Sequence, residues 1–298
     1  LKYYALFDVG GTKIKSNLFI KNKEFVYSVP QVFSSHSEGS KQDILTNFKY
    51  ILQTTFDGGP SNIIDELDGV AFAFPGPFDY HNGISYIQGL SKYEQLYGVE
   101  LKSYMECMLT RKTGRKINVK FQNDAKSFGM GAFAQSSESI KKGIYITLGT
   151  GCGSCFIKNG EIIYSSSYGL NSEGMIYDAP FKETIIDDYL SERGLIAIAH
   201  SNNLNVDSSK EIFDLYLQNN TAAKDSLIQF GETIAMALEP FINHFSPDEI
   251  AFGGGVSGSF SGFQESLNAK LNEKIGIRAI RDTSTCVMQG LLNLFEKE

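Results

Sequence analysis

An α/β protein made of two related domains is the fold class this sequence predicts, and three observations point there. Strand-like and helix-like segments alternate along 298 residues, a length that suits about two domains. The stretch Leu18-Phe19-Ile20-Lys21-Asn22-Lys23-Glu24 recurs as Cys155-Phe156-Ile157-Lys158-Asn159-Gly160-Glu161, with five identities in seven positions and a spacing of 137 residues. Each copy follows a strand and a Gly/Thr turn, so what repeats is a strand–turn–strand hairpin, as duplicated domains would give.

The elements follow in order. Tyr3 to Asp8 is an aromatic and apolar run that halts at Gly10-Gly11, and Ile14 to Ile20 reads as the returning strand. Asn22-Lys23 makes a turn, and Phe25 to Val29 is expected to be a third strand. Helical spacing runs from Gln42 to Phe56, with Ile44, Leu45, Phe48, Ile51, Leu52 and Phe56 on one stripe. Leu67 to Phe74 is a near-continuous apolar run ended by Pro75-Gly76-Pro77, the pattern of a buried strand. Residues 78–98, rich in Tyr, Gly and Asn, read as a long surface excursion. Glu100 to Arg111 is helical, with Gly114 as its stop, and Ile117 to Phe121 is a short strand. The basic cluster Arg111-Lys112 and Arg115-Lys116 lies at that helix's C-terminal end, where it complements the dipole. Ala125 to Ala134 is helical, and Ile144 to Leu148 is a strand broken by Gly149-Thr150-Gly151-Cys152-Gly153. Helices are expected over 184–200, 209–219 and 222–245. Ser208 with Glu211 forms a capping box for the second, and Pro240 should kink or split the third. Glu249 to Phe252 is a strand ended by Gly253-Gly254-Gly255, and helices over 262–275 and 284–298 close the sequence. The expected lobes are 1–120 with 284–298, and 121–283.

Composition narrows the function. Lys plus Arg number 27 against 34 Asp plus Glu, a net charge of −7, which argues against an overall grip on nucleic acid. No apolar run approaches the roughly 18–20 residues that span a bilayer, and the first residues lack a basic-then-apolar leader pattern. Four cysteines are too few for a disulfide scaffold. A cytoplasmic protein acting on a small molecule is the expectation.

Three glycine turns at strand ends, residues 10–11, 149–153 and 253–255, carry the chemistry. Without Cβ atoms, such turns bring backbone N–H groups against phosphate oxygens. None fits GxxxxGK[ST], and none opens a helix as GxGxxG. Asp124 is the catalytic candidate, placed after a strand at a helix N-terminus; an N-cap is its other reading. Asn123 beside it offers a donor and an acceptor to a hydroxyl. Asp8, at a strand end beside the first turn, is suited to Mg²⁺ held through water. His36, His81, His200 and His244 show no ligand spacing. Cys152-Gly-Ser-Cys155 lies in a glycine turn rather than at a helix N-terminus, so thiolate activation lacks its support.

Asp8-Val-Gly-Gly-Thr-Lys13, Phe74-Pro-Gly-Pro77, Asn123-Asp124-Ala125, Leu148-Gly-Thr-Gly-Cys-Gly153 and Phe252-Gly-Gly-Gly-Val256 together resemble the ROK family of sugar kinases. The likeness extends from about residue 3 to residue 295. It implies the actin-like ATPase (ribonuclease H-like) fold, two related domains around a central cleft, with ATP and Mg²⁺ as cofactors and a sugar as substrate. It further implies that Gly10, Gly11, Thr12 and Lys13 lie near the phosphates with Asp8 on the Mg²⁺ side. Gly149, Thr150, Gly151 and Gly153 would hold phosphates from the other domain, and Gly254 and Gly255 would flank adenosine. Asn123, Asp124, Glu173, Asp187 and the Gly76 loop would meet the sugar, with Asp124 as base and domain closure excluding water. Family habit also suggests a homodimer.

The sequence departs from the family in places. Members often carry a His three residues after the sugar Glu, and this chain has Ile176. No Cys lies between Cys155 and Cys286, so no structural zinc is expected. Tyr86 to Tyr97 has no simple family counterpart. The first strand begins almost at residue 3, which disfavours the repressor branch with its N-terminal helix-turn-helix. Two alternatives remain open: a sugar sensor that has lost catalysis, and an actin-like phosphotransferase with a non-sugar acceptor.

Overall fold

The computed structural model describes residues 1–271 and 274–296. It forms two compact units, Leu1–Ser127 with Ser284–Glu298, and Phe128–Thr283.

The first unit is a five-stranded sheet. Its strands are β1 (Tyr3–Val9), β2 (Lys13–Ile20), β3 (Gln31–Ser34), β4 (Leu67–Phe74) and β7 (Asn118–Asn123), in the order β3-β2-β1-β4-β7. Helices α1 (Lys41–Asp57) and α2 (Ile63–Glu66) precede β4. A two-stranded ribbon, β5 (Phe78–Asp79) and β6 (Ile84–Ser85), and α3 (Leu101–Thr113) separate β4 from β7. β1, β4 and β7 are parallel, while β2 runs antiparallel to β1. Phe7, Phe72 and Phe121 are register partners across the three parallel strands, and their rings stack at 4.8 and 5.2 Å. Because side chains alternate along a strand, Tyr4, Leu6 and Asp8 occupy the other face. There Tyr4 stacks at 4.3 Å on Phe295 of the C-terminal helix Thr283–Glu296.

The second unit begins within α4 (Asp124–Ala134) and repeats the plan. Its strands are β8 (Lys142–Leu148), β9 (Cys152–Lys158), β10 (Glu161–Ile162), β13 (Glu249–Gly253) and β14 (Gly276–Ala279), in the order β10-β9-β8-β13-β14. β9 is antiparallel to β8, and β13 and β14 are parallel to it. A small ribbon, β11 (Pro180–Phe181) with β12 (Thr184–Ile185), and helices α5 (Ile186–Tyr189), α6 (Glu192–Ser201), α7 (Ser209–Leu217) and α8 (Thr221–Phe245) lie between β10 and β13. Helix α9 (Phe260–Lys270) joins β13 to β14.

Several sequence expectations are corrected. The strand expected over 25–29 is absent; Phe25 makes one bridge to Phe19, and the third strand is β3. The buried Asn17 side chain explains this: its amide bonds the carbonyl and N–H of Tyr27 at 2.8 and 3.1 Å, replacing a ladder. The helix expected over 184–200 breaks at Leu190-Ser191, where the Ser191 hydroxyl caps α6. Pro240 neither splits nor ends α8, which is one helix of 25 residues. The Ser208 cap forms, yet Glu211 reaches the Asp207 amide rather than that of Ser208. The helix expected to reach 275 ends at Lys270, and β14 follows; residues 272 and 273 lie outside the described residues, as do 297 and 298 of the final helix. The excursion at 78–98 is anchored, with Ile87, Tyr93 and Leu96 in the first core. The lobe boundary expected at 120 falls after Ser127, since β7 pairs with β4 and carries Asn123 and Asp124 into the first unit. Among the described residues no helix is long and apolar enough to cross a membrane.

Candidate active site

In the first unit, the glycine turn between β1 and β2 is held by its carbonyls. The Tyr93 hydroxyl donates to Gly10 O at 2.9 Å, the Ser35 and Ser37 hydroxyls both donate to Gly11 O, and Ser35 N donates to Thr12 O at 3.0 Å. In a planar trans peptide the following N–H points opposite to the carbonyl. The N–H groups of Gly11, Thr12 and Lys13 therefore face away from Tyr93 and the 35–37 segment, as an anion-binding turn requires. Gly10 is needed here, because a Cβ would lie 3.0 Å from Lys13 O. Thr12 and Lys13 are exposed, and Asp8 is half-buried on the face of the C-terminal helix. Burial pushes the Tyr93 hydroxyl up, and the Asp8 carboxylate adds to that rise.

Asn123 ends β7 and Asp124 begins α4. Asn123 is the cap: its Oδ1 accepts from Lys126 N at 3.1 Å, while its Nδ2 donates to the Tyr80 hydroxyl at 3.1 Å. The N-cap alternative for Asp124 is thereby resolved. Asp124 Oδ1 accepts from Ala125 N at 2.9 Å, and among the described residues the carboxylate has no side-chain hydrogen-bond partner. Burial raises the Asp124 carboxyl above its ordinary range, against the Lys92 ammonium and the helix-terminal amides, which lower it. Tyr80 Oη also donates to Phe74 O at 3.1 Å, and it sits 3.1 Å from the point a Cβ on Gly76 would occupy. The Gly76 loop thus leaves room for the hydroxyl that orients Asn123.

In the second unit the turn at 149–151 is built the same way. Glu192 N donates to Gly149 O at 2.8 Å, and Arg193 Nη1 donates to Thr150 O at 2.7 Å. The amides of Thr150 and Gly151 face away from α6. Gly153 lies in the ladder opposite Thr147. Asp187 accepts from Cys152 N at 2.6 Å and from Arg193 Nη2. A residue that the family resemblance assigned to sugar binding thus braces the turn. Gly254 has φ +89°, and a Cβ there would lie 2.3 Å from Leu148 O, so the third turn packs against the end of β8; Gly255 is open.

Glu173 is exposed in a turn closed by Asn171 N to Met175 O at 2.9 Å. Its carboxylate and that of Asp187 both act on the Tyr177 phenol, which burial and Asp178 push up first. Ile176 is wholly buried in the second core. Cys152 and Cys155 are free and buried, and burial pushes the Cys152 thiol far up, with Asp187 adding to it. The turn therefore carries no thiolate.

Sequence reasoning missed Tyr80, Lys92, Tyr93, Ser35 and Ser37. All act on the site from loops, and only the Tyr-rich composition of 78–98 hinted at any of them. Backbone amides aimed outward and a single carboxylate at a strand end fit a triphosphate with a Mg²⁺ held mostly by phosphate and water. Among the described residues no group of three or more His, Cys, Asp and Glu is placed to hold a metal ion.

Two sheets of matching strand order, each opened by a glycine hairpin, define the actin-like ATPase fold. The ROK family model matches residues 4–279, and the chain belongs to the ROK family. It is 27% identical over 279 residues to an N-acetyl-D-glucosamine kinase of Haemophilus influenzae, covering 86% of this chain and 84% of that one. It is 23% identical to a beta-glucoside kinase of Listeria monocytogenes, covering 94% and 90%. Among solved structures, a ROK family glucokinase from Streptomyces griseus in complex with glucose and AMPPNP aligns with a TM-score of 0.75 at 16% identity, covering 99% of this chain and all of that one.

Proposed function

We propose that this chain is a cytoplasmic kinase that transfers the γ-phosphoryl of MgATP to a hydroxyl of a hexose or N-acylhexosamine. The observation that carries the reading is Asp124: a half-buried carboxylate of raised proton affinity, positioned by the capped start of α4 and, among the described residues, without a side-chain hydrogen bond. A base of that kind accepts a hydroxyl proton as the alcohol oxygen attacks phosphorus. Asn123, held by Tyr80 and Lys126, orients the acceptor beside it. In the first unit the outward amides of residues 11–13 are suited to phosphate oxygens and Asp8 to a Mg²⁺ water; in the second unit the amides of 150–151 are suited to phosphate in the same way. Bound Mg²⁺ supplies charge neutralisation on the phosphates. In the second unit the family resemblance gives Glu173 to the sugar and Gly254 and Gly255 to the nucleoside.

Ile176, buried in the second core, stands where family members often carry a His, so this chain lacks that contact to the sugar. The test is ADP release over glucose, N-acetylglucosamine, N-acetylmannosamine and β-glucosides. Release that depends on one of these sugars is expected. ADP formed at the same rate without sugar, or tight sugar binding with no turnover, would overturn the proposal.

A further inference from the structure

The backbone on either side of Lys92 is held, while among the described residues its ammonium makes no hydrogen bond or ion pair. Its neighbours Ser91 and Tyr93 take left-handed φ of 54° and 55°. Ser91 N is held by Glu94 Oε1 at 2.9 Å, and Tyr93 N by Ser37 O at 2.7 Å. The Tyr93 hydroxyl ties the loop to the first glycine turn at Gly10, and the Tyr93 N–H ties it to Ser37, whose own hydroxyl bonds Gly11 O. The Lys92 stem lies across that turn: its Cβ, Cγ and Cδ come within 3.0–3.9 Å of where a Gly11 Cβ would be. A Cβ on Gly11 would crowd this stem. The side chain is half-buried, yet among the described residues its ammonium makes no hydrogen bond or ion pair. Confining a lysine stem costs side-chain entropy that no hydrogen bond or ion pair among the described residues offsets. Such an arrangement becomes favourable when an anion arrives.

We propose that Lys92 binds the phosphoryl group during transfer, its ammonium meeting the equatorial oxygens beside the amides of residues 11–13. The sugar oxygen forms its bond to phosphorus, the bond from phosphorus to the β-phosphate oxygen breaks, and ADP leaves with that electron pair. The hydroxyl proton passes to Asp124. This deepens the kinase reading and rests on it. Lys92 also acts on the base. It is the charged side chain that lowers the Asp124 carboxyl, alongside the amides at the head of α4. One cation thus serves both ends of the step: it favours the ionised base before attack and meets the charge on phosphorus as it shifts.

The experiment compares wild type with Lys92→Met, Lys92→Gln and Lys92→Arg, using sugar-dependent ADP release across pH. Asp124 is followed in parallel by ¹³C NMR titration of its carboxyl. Removing the cation should lower kcat by about 10²-fold, the scale of losing one preorganised donor, and leave the sugar KM little changed. Arginine should restore most of that rate. The acid limb and the Asp124 titration should both move to higher pH in the Met and Gln variants. If both variants fold, bind sugar and turn over within about threefold of wild type, Lys92 does not touch the phosphoryl group. A fall in thermal stability with kcat and the Asp124 titration unmoved assigns it a structural role and overturns the proposal equally. Wild type without sugar-dependent ADP release would instead defeat the kinase reading itself, so the two failures are distinguishable.

Discussion

At Asp124 burial and a nearby cation oppose each other, and burial prevails: the carboxyl holds its proton more tightly than the ordinary value of 3.8 allows. That bias suits a base, since a carboxylate of ordinary affinity is a poor acceptor for an alcohol proton. Asp124→Asn keeps the shape and one acceptor oxygen for Ala125 N. It should retain sugar binding and lose kcat by about 10²–10⁴-fold, measured by ADP release beside calorimetric sugar titration. Stability carries its own signature with a definite sign. In the unfolded chain the carboxyl ionises at its ordinary value, whereas the folded state resists ionisation. Ionised Asp124 therefore penalises the fold above its folded pKa, and the penalty vanishes below 3.8. Asparagine never ionises. The variant should melt above wild type near neutrality, with the gain shrinking as the solution is acidified. A variant that melts below wild type by the same margin throughout contradicts this account of the carboxyl.

The elements show which features sequence periodicity displays and which it does not. β4, α1 and the helix ended by Gly114 were legible because a long apolar run, a clean stripe and a left-handed stop each act locally. The third strand was misplaced because a buried Asn17 amide, distant in sequence, satisfies Tyr27. β14 was missed because a short, half-buried strand carries little pattern of its own and forms by pairing with β13. At the site, the glycine turns and the Asn123-Asp124 pair were legible from residue type. The groups that grip those turns were not, since Tyr93, Ser35 and Arg193 arrive from other segments. Adjacent glycines of the third turn show the difference. Gly254 has φ +89° and no room for a Cβ beside Leu148 O, while nothing lies within 4 Å of a Cβ on Gly255. Gly254→Ala should destabilise by more than about 2 kcal/mol, and Gly255→Ala should stay within about 0.5 kcal/mol. Urea unfolding of the two variants checks this; equal losses would mean that the third turn does not need its backbone conformation.

For the molecule as a whole, duplication leaves each unit with its own sheet and core, but the chain does not complete the units in turn. It leaves the first after Ser127 and returns to it at Ser284. The returning helix covers the face of the first sheet that bears Asp8. Phe295 lies over Gly69, so closely that a Cβ there would fall 2.4 Å from the ring, and it stacks on Tyr4. Ser284 accepts from Lys15 at 2.8 Å, and Cys286, Val287, Met288 and Leu291 are buried. A chain ending at Thr283 would leave Tyr4, Leu6 and Ala71 without that cover, an apolar loss of several side chains at roughly 1.5–3 kcal/mol each. A typical domain has only about 5–15 kcal/mol of stability to lose. Hydrogen exchange on the shortened chain should therefore show β1 and β4 losing most of their protection while β8 and α8 keep theirs, because the second core draws on none of the deleted residues. Uniform loss across both sheets would show that the units do not unfold separately; full protection in β1 would show that the first core is stable without its last helix.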